Sequence, residues 1–282
     1  MKLKELFSAK DMTLGPPWKR ILEFSIPMLL GNFAQQLYNT ADTIIVGIYK
    51  GDLALSAVGS SMPILNLLLA LFVGVSTGAG IVVSQRFGAK DREGLSVAIG
   101  NCITLSAIAT VVIMILGPLI TRPLLALLKT PDSIFDWCSQ YLNIYFIGIV
   151  GFFFYNMLSG ILRGLGDSVT ALGFLLVSAT LNVGLDLLLV KDMGVAGVAL
   201  ATAIAQGISA VLCYLKLRTM SDIFDMRIKY VKLRKEVARR ILTLGLPSGI
   251  TQAIMASYRT TLLCEPWDDV QEEELDEENC NN

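Results

Sequence analysis

Long apolar blocks separated by short charged runs organise this chain. Blocks at 21–48, 55–84, 95–118, 134–160, 168–190 and 194–217 meet or exceed the roughly 20 residues that a helix needs to cross about 30 Å of hydrocarbon. Helix is required, because lipid cannot satisfy the polar groups of an open backbone. A seventh block begins at 241 and runs toward 263. Tyr258-Arg259 interrupts it, and Cys264-Glu265-Pro266-Trp267-Asp268-Asp269 turns the chain polar. The pattern predicts an all-α polytopic membrane protein. Residues 1–217 form a six-helix lobe, 218–240 a cytoplasmic connection, 241–263 a partial seventh helix and 264–282 an acidic tail. That tail is disordered on composition and foreign to the rest of the pattern.

The blocks are not independent. Lys19-Arg20-Ile21-Leu22-Glu23-Phe24-Ser25-Ile26-Pro27 returns 220 positions later as Arg239-Arg240-Ile241-Leu242-Thr243-Leu244-Gly245-Leu246-Pro247. Each copy places a basic pair before an apolar helix start and a proline about one and a half turns in. The spacing reads as one complete repeat of a two-repeat protein followed by the opening of the second. The small-residue pairs Gly74-Gly78 and Gly194-Gly197 suit close contact between membrane helices.

Charge sets the orientation. Lys2, Lys4, Lys10, Lys19 and Arg20 precede the first span, Arg86, Lys90 and Arg92 follow the second, and Arg163 follows the fourth. A dense basic run from Lys216 to Arg240 follows the sixth. The opposite side holds only Lys50, Arg122, Lys129 and Lys191. By the positive-inside rule, the N-terminus and the long connection are cytoplasmic in a multi-pass protein of the cell's inner (cytoplasmic) membrane. The formal net charge of −1 hides this bias, because the tail from Glu265 carries nine acidic residues and no basic one. The basic residues flank spans rather than forming a separate domain, so membrane lipids are the implied partner and a nucleic acid is not. The five cysteines follow no metal or pairing scheme, and the chain has no histidine. Without a Gly-x-x-x-x-Gly-Lys-Ser/Thr run, ATP hydrolysis is disfavoured, and neither an enzyme nor a cofactor is expected.

The candidate chemistry lies inside the spans, where ionised groups are costly and normally face a cavity or a partner. Asp42 in the first span and Asp186 in the fifth both lie a few residues before an outer loop, at a depth of roughly 8–12 Å. Asn182 is one turn below Asp186 on the same face, and Thr202, descending the sixth span, reaches a similar depth. Four oxygen-bearing side chains at one depth suit Na⁺, and two carboxylates in contact suit a shared proton. Alternatively, the aspartates are helix-end residues hydrated through the interface, and Asn182 and Thr202 make an interhelical hydrogen bond. Gln35, Tyr38 and Asn39, with Asn32 and Gln36, make the first span too polar for lipid and predict a protein-facing or cavity-facing stripe, which Asn156 also joins. Pro27 removes a backbone donor and is the expected bend of that helix. Arg163-Gly164-Leu165-Gly166-Asp167 predicts a tight cytoplasmic turn, stapled by a pairing of Arg163 with Asp167, with a gate as the alternative reading.

Several motifs in order resemble the multidrug and toxic compound extrusion family. They are Pro27, Asn39-Thr40-Ala41-Asp42-Thr43-Ile44-Ile45-Val46-Gly47, Ser84-Gln85-Arg86-Phe87-Gly88-Ala89, Leu162-Arg163-Gly164-Leu165-Gly166-Asp167, Asn182-Val183-Gly184-Leu185-Asp186, the run Gly194 to Thr202, and Gly245-Leu246-Pro247-Ser248-Gly249. The resemblance implies a twelve-helix transporter of two six-helix lobes, here the N-terminal lobe truncated at the start of the second. It implies export of drugs, organic cations or toxic amphiphiles against Na⁺ or H⁺, the coupling ion. It also implies that Asp42, Asn182, Asp186 and Thr202 bind the cation or proton and that Pro27 is the bend. A separate second lobe is then a partner the chain would need. Two other readings stand beside it: an exporter of lipid-linked cell-envelope precursors from the same superfamily, and an inactive remnant.

Overall fold

The structure, a computed structural model, describes residues 16–225 and 227–264. The polar start and the acidic tail from Glu265 fall outside the described residues. The apolar blocks become helices: α1 (Pro17–Gly88), α2 (Arg92–Leu127), α3 (Asp132–Gly164), α4 (Ser168–Met193), α5 (Val195–Arg218) and α6 (Lys235–Cys264). One 3-10 turn, Ile228–Tyr230, precedes α6. Among the described residues, α1 to α5 are long and apolar enough to cross a membrane by length and composition. The backbone of α6 stays helical through Tyr258 and Arg259, where the apolar pattern breaks, to Cys264.

At 72 residues, a straight α1 would extend about 108 Å, more than three hydrocarbon thicknesses. It instead doubles back at Gly51, its one residue with non-helical dihedrals (φ 75°, ψ −171°). Glycine adopts a positive φ at little cost, so the loop expected at Lys50-Gly51-Asp52 shrinks to a single residue. We call 17–50 the first arm and 52–88 the second. The first arm runs beside α4: Gly31 lies against Leu172 and Leu175, and the Lys50 ammonium donates to the Lys191 carbonyl at 2.9 Å. The second arm runs beside α3, where the Cys138 thiol donates to the Ala57 carbonyl at 3.4 Å and the Ser76 hydroxyl to the Asn156 carbonyl at 2.6 Å. Because α3 and α4 are joined by a tight turn and oppose each other, the two arms do too. α2 also outruns its apolar block, continuing through Pro118 and Pro123. Between those prolines the Thr121 hydroxyl donates back to the Gly117 carbonyl at 2.8 Å, which satisfies the buried hydroxyl within its own helix.

Small residues set the spacing between helices. A Cβ at Gly151 would sit 2.6 Å from the Gly207 nitrogen, joining α3 to α5. One at Gly164 would sit 2.6 Å from the Gly80 carbonyl oxygen, joining α3 to the second arm. The tightest crossing places Gly74 and Gly78 of the second arm face to face with Gly245 and Gly249 of α6, and a Cβ at Gly78 would lie 2.6 Å from the Gly245 nitrogen. Inside, Phe72 stacks on Phe153 with ring centroids 3.6 Å apart. Outside, Leu29, Phe33, Leu37, Ile44 and Ile48 of the first arm are exposed. An exposed apolar stripe at helical spacing is what a lipid-facing surface requires.

The 218–240 connection is docked rather than free. The Asp225 amide donates to the Ser96 hydroxyl at 2.9 Å, Arg92 donates to the Ser221 carbonyl at 2.9 Å, and the Arg234 amide donates to Asn101 Oδ1 at 2.7 Å. Gly100 makes room for the Tyr230 carbonyl, and Phe224 is fully buried. The start of α2 thus fixes where α6 begins. Replacing Gly78 by leucine is expected to destabilise the fold by roughly 1–3 kcal/mol through overpacking. Faster hydrogen exchange along α6, with α3 to α5 unchanged, would register that loss, whereas unaltered exchange in α6 would count against the crossing as its anchor.

Candidate functional site

The first arm, α4 and α5 bring the predicted residues together. Asp186 is fully buried and Asn182 is buried one turn below it, while Asp42 and Thr202 are half-buried. The Asn182 amide donates to the Thr202 hydroxyl at 3.2 Å. The carboxyl groups of Asp42 and Asp186 lie within hydrogen-bonding reach of each other. Even so, Asp42 Oδ1, both oxygens of Asp186 and Asn182 Oδ1 are buried without a hydrogen-bond donor. None of the described ion pairs includes either aspartate.

Both facts follow from carboxylate chemistry. Two ionised carboxylates are acceptors only and can bond each other only around a proton. As bare charges about 4 Å apart they would repel by about 4 kcal/mol at an effective dielectric of about 20. The amide oxygen of Asn182 and the hydroxyl of Thr202 lie beside this pair, so the cluster is rich in acceptors and poor in donors.

Two further side chains belong to the cluster and were not singled out from sequence. Gln206, buried on α5, lies within hydrogen-bonding reach of the Tyr38 hydroxyl, and its own Oε1 has no partner. Tyr141 of α3 is buried and lies alongside Asp42, Asp186 and Tyr38. Gln206 did carry a signal: it follows Thr202 by four residues and so shares its face. Tyr141 carried none, because a tyrosine in an apolar helix looks like core.

The polar stripe of the first arm splits in two. Tyr38 is buried and Gln35 half-buried, Tyr38 lying within hydrogen-bonding reach of Gln35, whereas Asn39 is exposed on the outside of the bundle. Asn156 is buried and donates to its own helix at the Phe152 carbonyl, 2.9 Å away, with its side chain beside Gln35 in an inner cavity. Pro27 lines that cavity, in a helix whose dihedrals remain helical past it.

The expected staple between Arg163 and Asp167 does not form. Asp167 instead caps α4, accepting from the Thr170 amide at 3.1 Å, and its second oxygen lies 3.7 Å from the Lys216 ammonium of α5. Capping α4 turns the Asp167 carboxylate toward the helix start, while Arg163 lines the inner cavity.

A bundle of membrane-length helices enclosing a carboxylate pair defines a polytopic membrane protein whose charged cluster faces its own interior. Comparison with known proteins narrows the class. The family description MatE matches residues 27–188, and the chain belongs to that family. It is 30% identical over 248 residues to the probable multidrug resistance protein YoeA of Bacillus subtilis (strain 168), covering 85% of this chain and 54% of that protein. It is 32% identical to the probable multidrug resistance protein YpnP of the same strain, covering 88% of this chain and 56% of that one. Among solved structures, the outward-facing conformation of a multidrug resistance MATE family transporter of the MOP superfamily superposes with a TM-score of 0.78 at 30% identity, covering 84% of this chain and 53% of that chain. The chain thus spans about half the length of the relatives it matches.

If Asp42 and Asp186 are held as opposed acceptors, Asp186→Asn should stabilise the protein, because the new amide donates where two acceptors met. The expected gain is about 1 kcal/mol, read as a higher thermal midpoint in detergent at alkaline pH without sodium. A lower midpoint would mean the pair is already satisfied.

Proposed function

We propose that this chain is the cation-binding lobe of a Na⁺- or H⁺-coupled exporter of drugs, organic cations or other amphiphilic compounds. The observation that carries the reading is the buried contact of Asp42 with Asp186 and its donorless oxygens. Asp42, Asn182, Asp186 and Thr202 supply oxygen atoms from three helical segments, a donor set that fits a hard cation and equally fits one proton held between the carboxylates. The names of the relatives, multidrug resistance proteins, support the cargo class.

The cation neutralises the aspartates and draws the first arm toward α4 and α5. Proline at position 27 leaves that arm one backbone hydrogen bond short, so the arm can answer by bending there. Its outward polar face, including Asn39, is where a second lobe and the cargo would meet it. Alternating access by rocking needs two lobes. The activity therefore belongs to this lobe together with a second one, covalent or separate.

Two measurements test this. Replacing choline chloride by NaCl at constant ionic strength should raise the thermal midpoint, with a gain of about 2.7 kcal/mol when sodium exceeds its dissociation constant a hundredfold. Asp42→Asn should abolish that gain while leaving the helical content unchanged. For proton coupling the same comparison is made between acid and alkaline pH. The assignment fails if Asp42→Asn keeps the full ion-dependent gain, or if it supports undiminished cation-driven dye efflux in vesicles with a second lobe supplied.

A further inference from the structure

The surroundings of the carboxylate pair are asymmetric along the membrane normal. One turn toward the outer side, Val46 follows Asp42 and Val190 follows Asp186, and both valines are completely buried. Val195 and Val198 of α5 are buried in the same outer layer. Above them the Lys50–Lys191 hydrogen bond closes the ends of the first arm and α4, with the Lys191 ammonium 5.4 Å from the Tyr49 ring centre. That side is an apolar plug under a polar clasp.

Toward the cytoplasm the arrangement reverses. Tyr38 follows one turn below Asp42 and lies within hydrogen-bonding reach of Gln35. Gln35 in turn lines an open-mouthed cavity of about 50 Å³, together with Pro27, Asn156, Ser159, Arg163 and Ser168. A cavity needs about 10–15 Å³ of such volume to take up a water, so this one has room for water. From Pro27 to Gln35 it covers eight residues of helix, about 12 Å. Its inner end is the turn that closes α3 and opens α4.

We propose that this cavity is the cytoplasmic access route to the Asp42–Asp186 pair and that Arg163 is its charge filter. The proposal rests on the cation-binding reading of the pair and adds the direction and the gate. Arg163 belongs to none of the described ion pairs, since Lys216 and the α4 cap hold its expected partner Asp167. Its fixed positive charge therefore acts on the cavity. A guanidinium at a narrow polar neck admits water and repels cations. The filter keeps cytoplasmic cations from filling the pair from below. The same charge raises the barrier for an ion or proton leaving past Tyr38 and Gln35, so Arg163 sets the rate of exchange with the cytoplasm in both directions.

The test uses the full chain with Gln35→Cys, in inside-out vesicles, treated with membrane-impermeant methanethiosulfonates carrying a sulfonate or a trimethylammonium group. The parent chain supplies the background; its Cys102, Cys138 and Cys213 are buried. Arg218→Cys serves as the accessible control and Leu29→Cys as the lipid-facing one. Gln35→Cys is expected to react from the cytoplasmic side, the anionic reagent outpacing the cationic one roughly fivefold. Arg163→Gln should erase that preference and Arg163→Lys should keep it. No reaction at Gln35→Cys while Arg218→Cys reacts overturns the route. A preference unchanged by Arg163→Gln, or lost in Arg163→Lys, overturns the filter. If Arg163→Gln is not recovered folded, Arg163→Met takes its place with the same two outcomes. Labelling needs the reagent to reach the thiol but needs no ion at the pair, so its failure is separable from loss of the ion-dependent stability gain in Asp42→Asn.

Discussion

Lipid offers apolar side chains no refuge from water that they do not already have, so helices in a membrane must be held by what passes directly between them. In this protein that is backbone contact across glycine faces. Gly151 meets Gly207, Gly164 meets Gly80, and the Gly74–Gly78 face meets Gly245 and Gly249. Any larger side chain at these points would separate the helices by more than a hydrogen bond can bridge. The contacts across them, such as Ser76 to the Asn156 carbonyl at 2.6 Å, exist because glycines lie within a turn or two. The position of every polar side chain inside the bundle is set by this spacing.

The carboxylate pair takes its character from that closeness. The first arm reaches α4 closely because Gly31 packs on Leu172 and Leu175 and the Lys50–Lys191 clasp secures the outer end. Asp42 and Asp186 are thereby pressed together without a donor between them. A fold optimised for stability alone would place a leucine or an amide there. Keeping two acceptors in contact is the sort of local conflict that marks functional positions.

The surroundings of the pair are layered. Buried valines lie one turn above the aspartates, while amide and hydroxyl groups of Gln35, Asn156 and Ser159 line the cavity below. The docked connection adds a second constraint. By pinning Asp225 to Ser96 and Arg234 to Asn101, it ties the start of α6 to the start of α2.

Much of this was legible in the amino-acid sequence, for identifiable reasons. Membrane helices advertise themselves by length and hydropathy, because the bilayer imposes both. Asp42, Asn182, Asp186 and Thr202 stood out because each is costly or unusual in lipid and all share one depth. Other features depended on direction and neighbourhood, which a sequence does not encode locally. The collapse of the first outer loop to Gly51, the loss of Asp167 to the α4 cap and Lys216, the recruitment of Gln206 and Tyr141, and the outward face of Asn39 each required knowing which helix lies alongside which. Composition and periodicity determined that the chain spans a membrane and at what depth its charges lie. Only the tertiary structure decided which charges touch, since contact in lipid is set by the helix crossings that glycines permit between residues far apart in the chain.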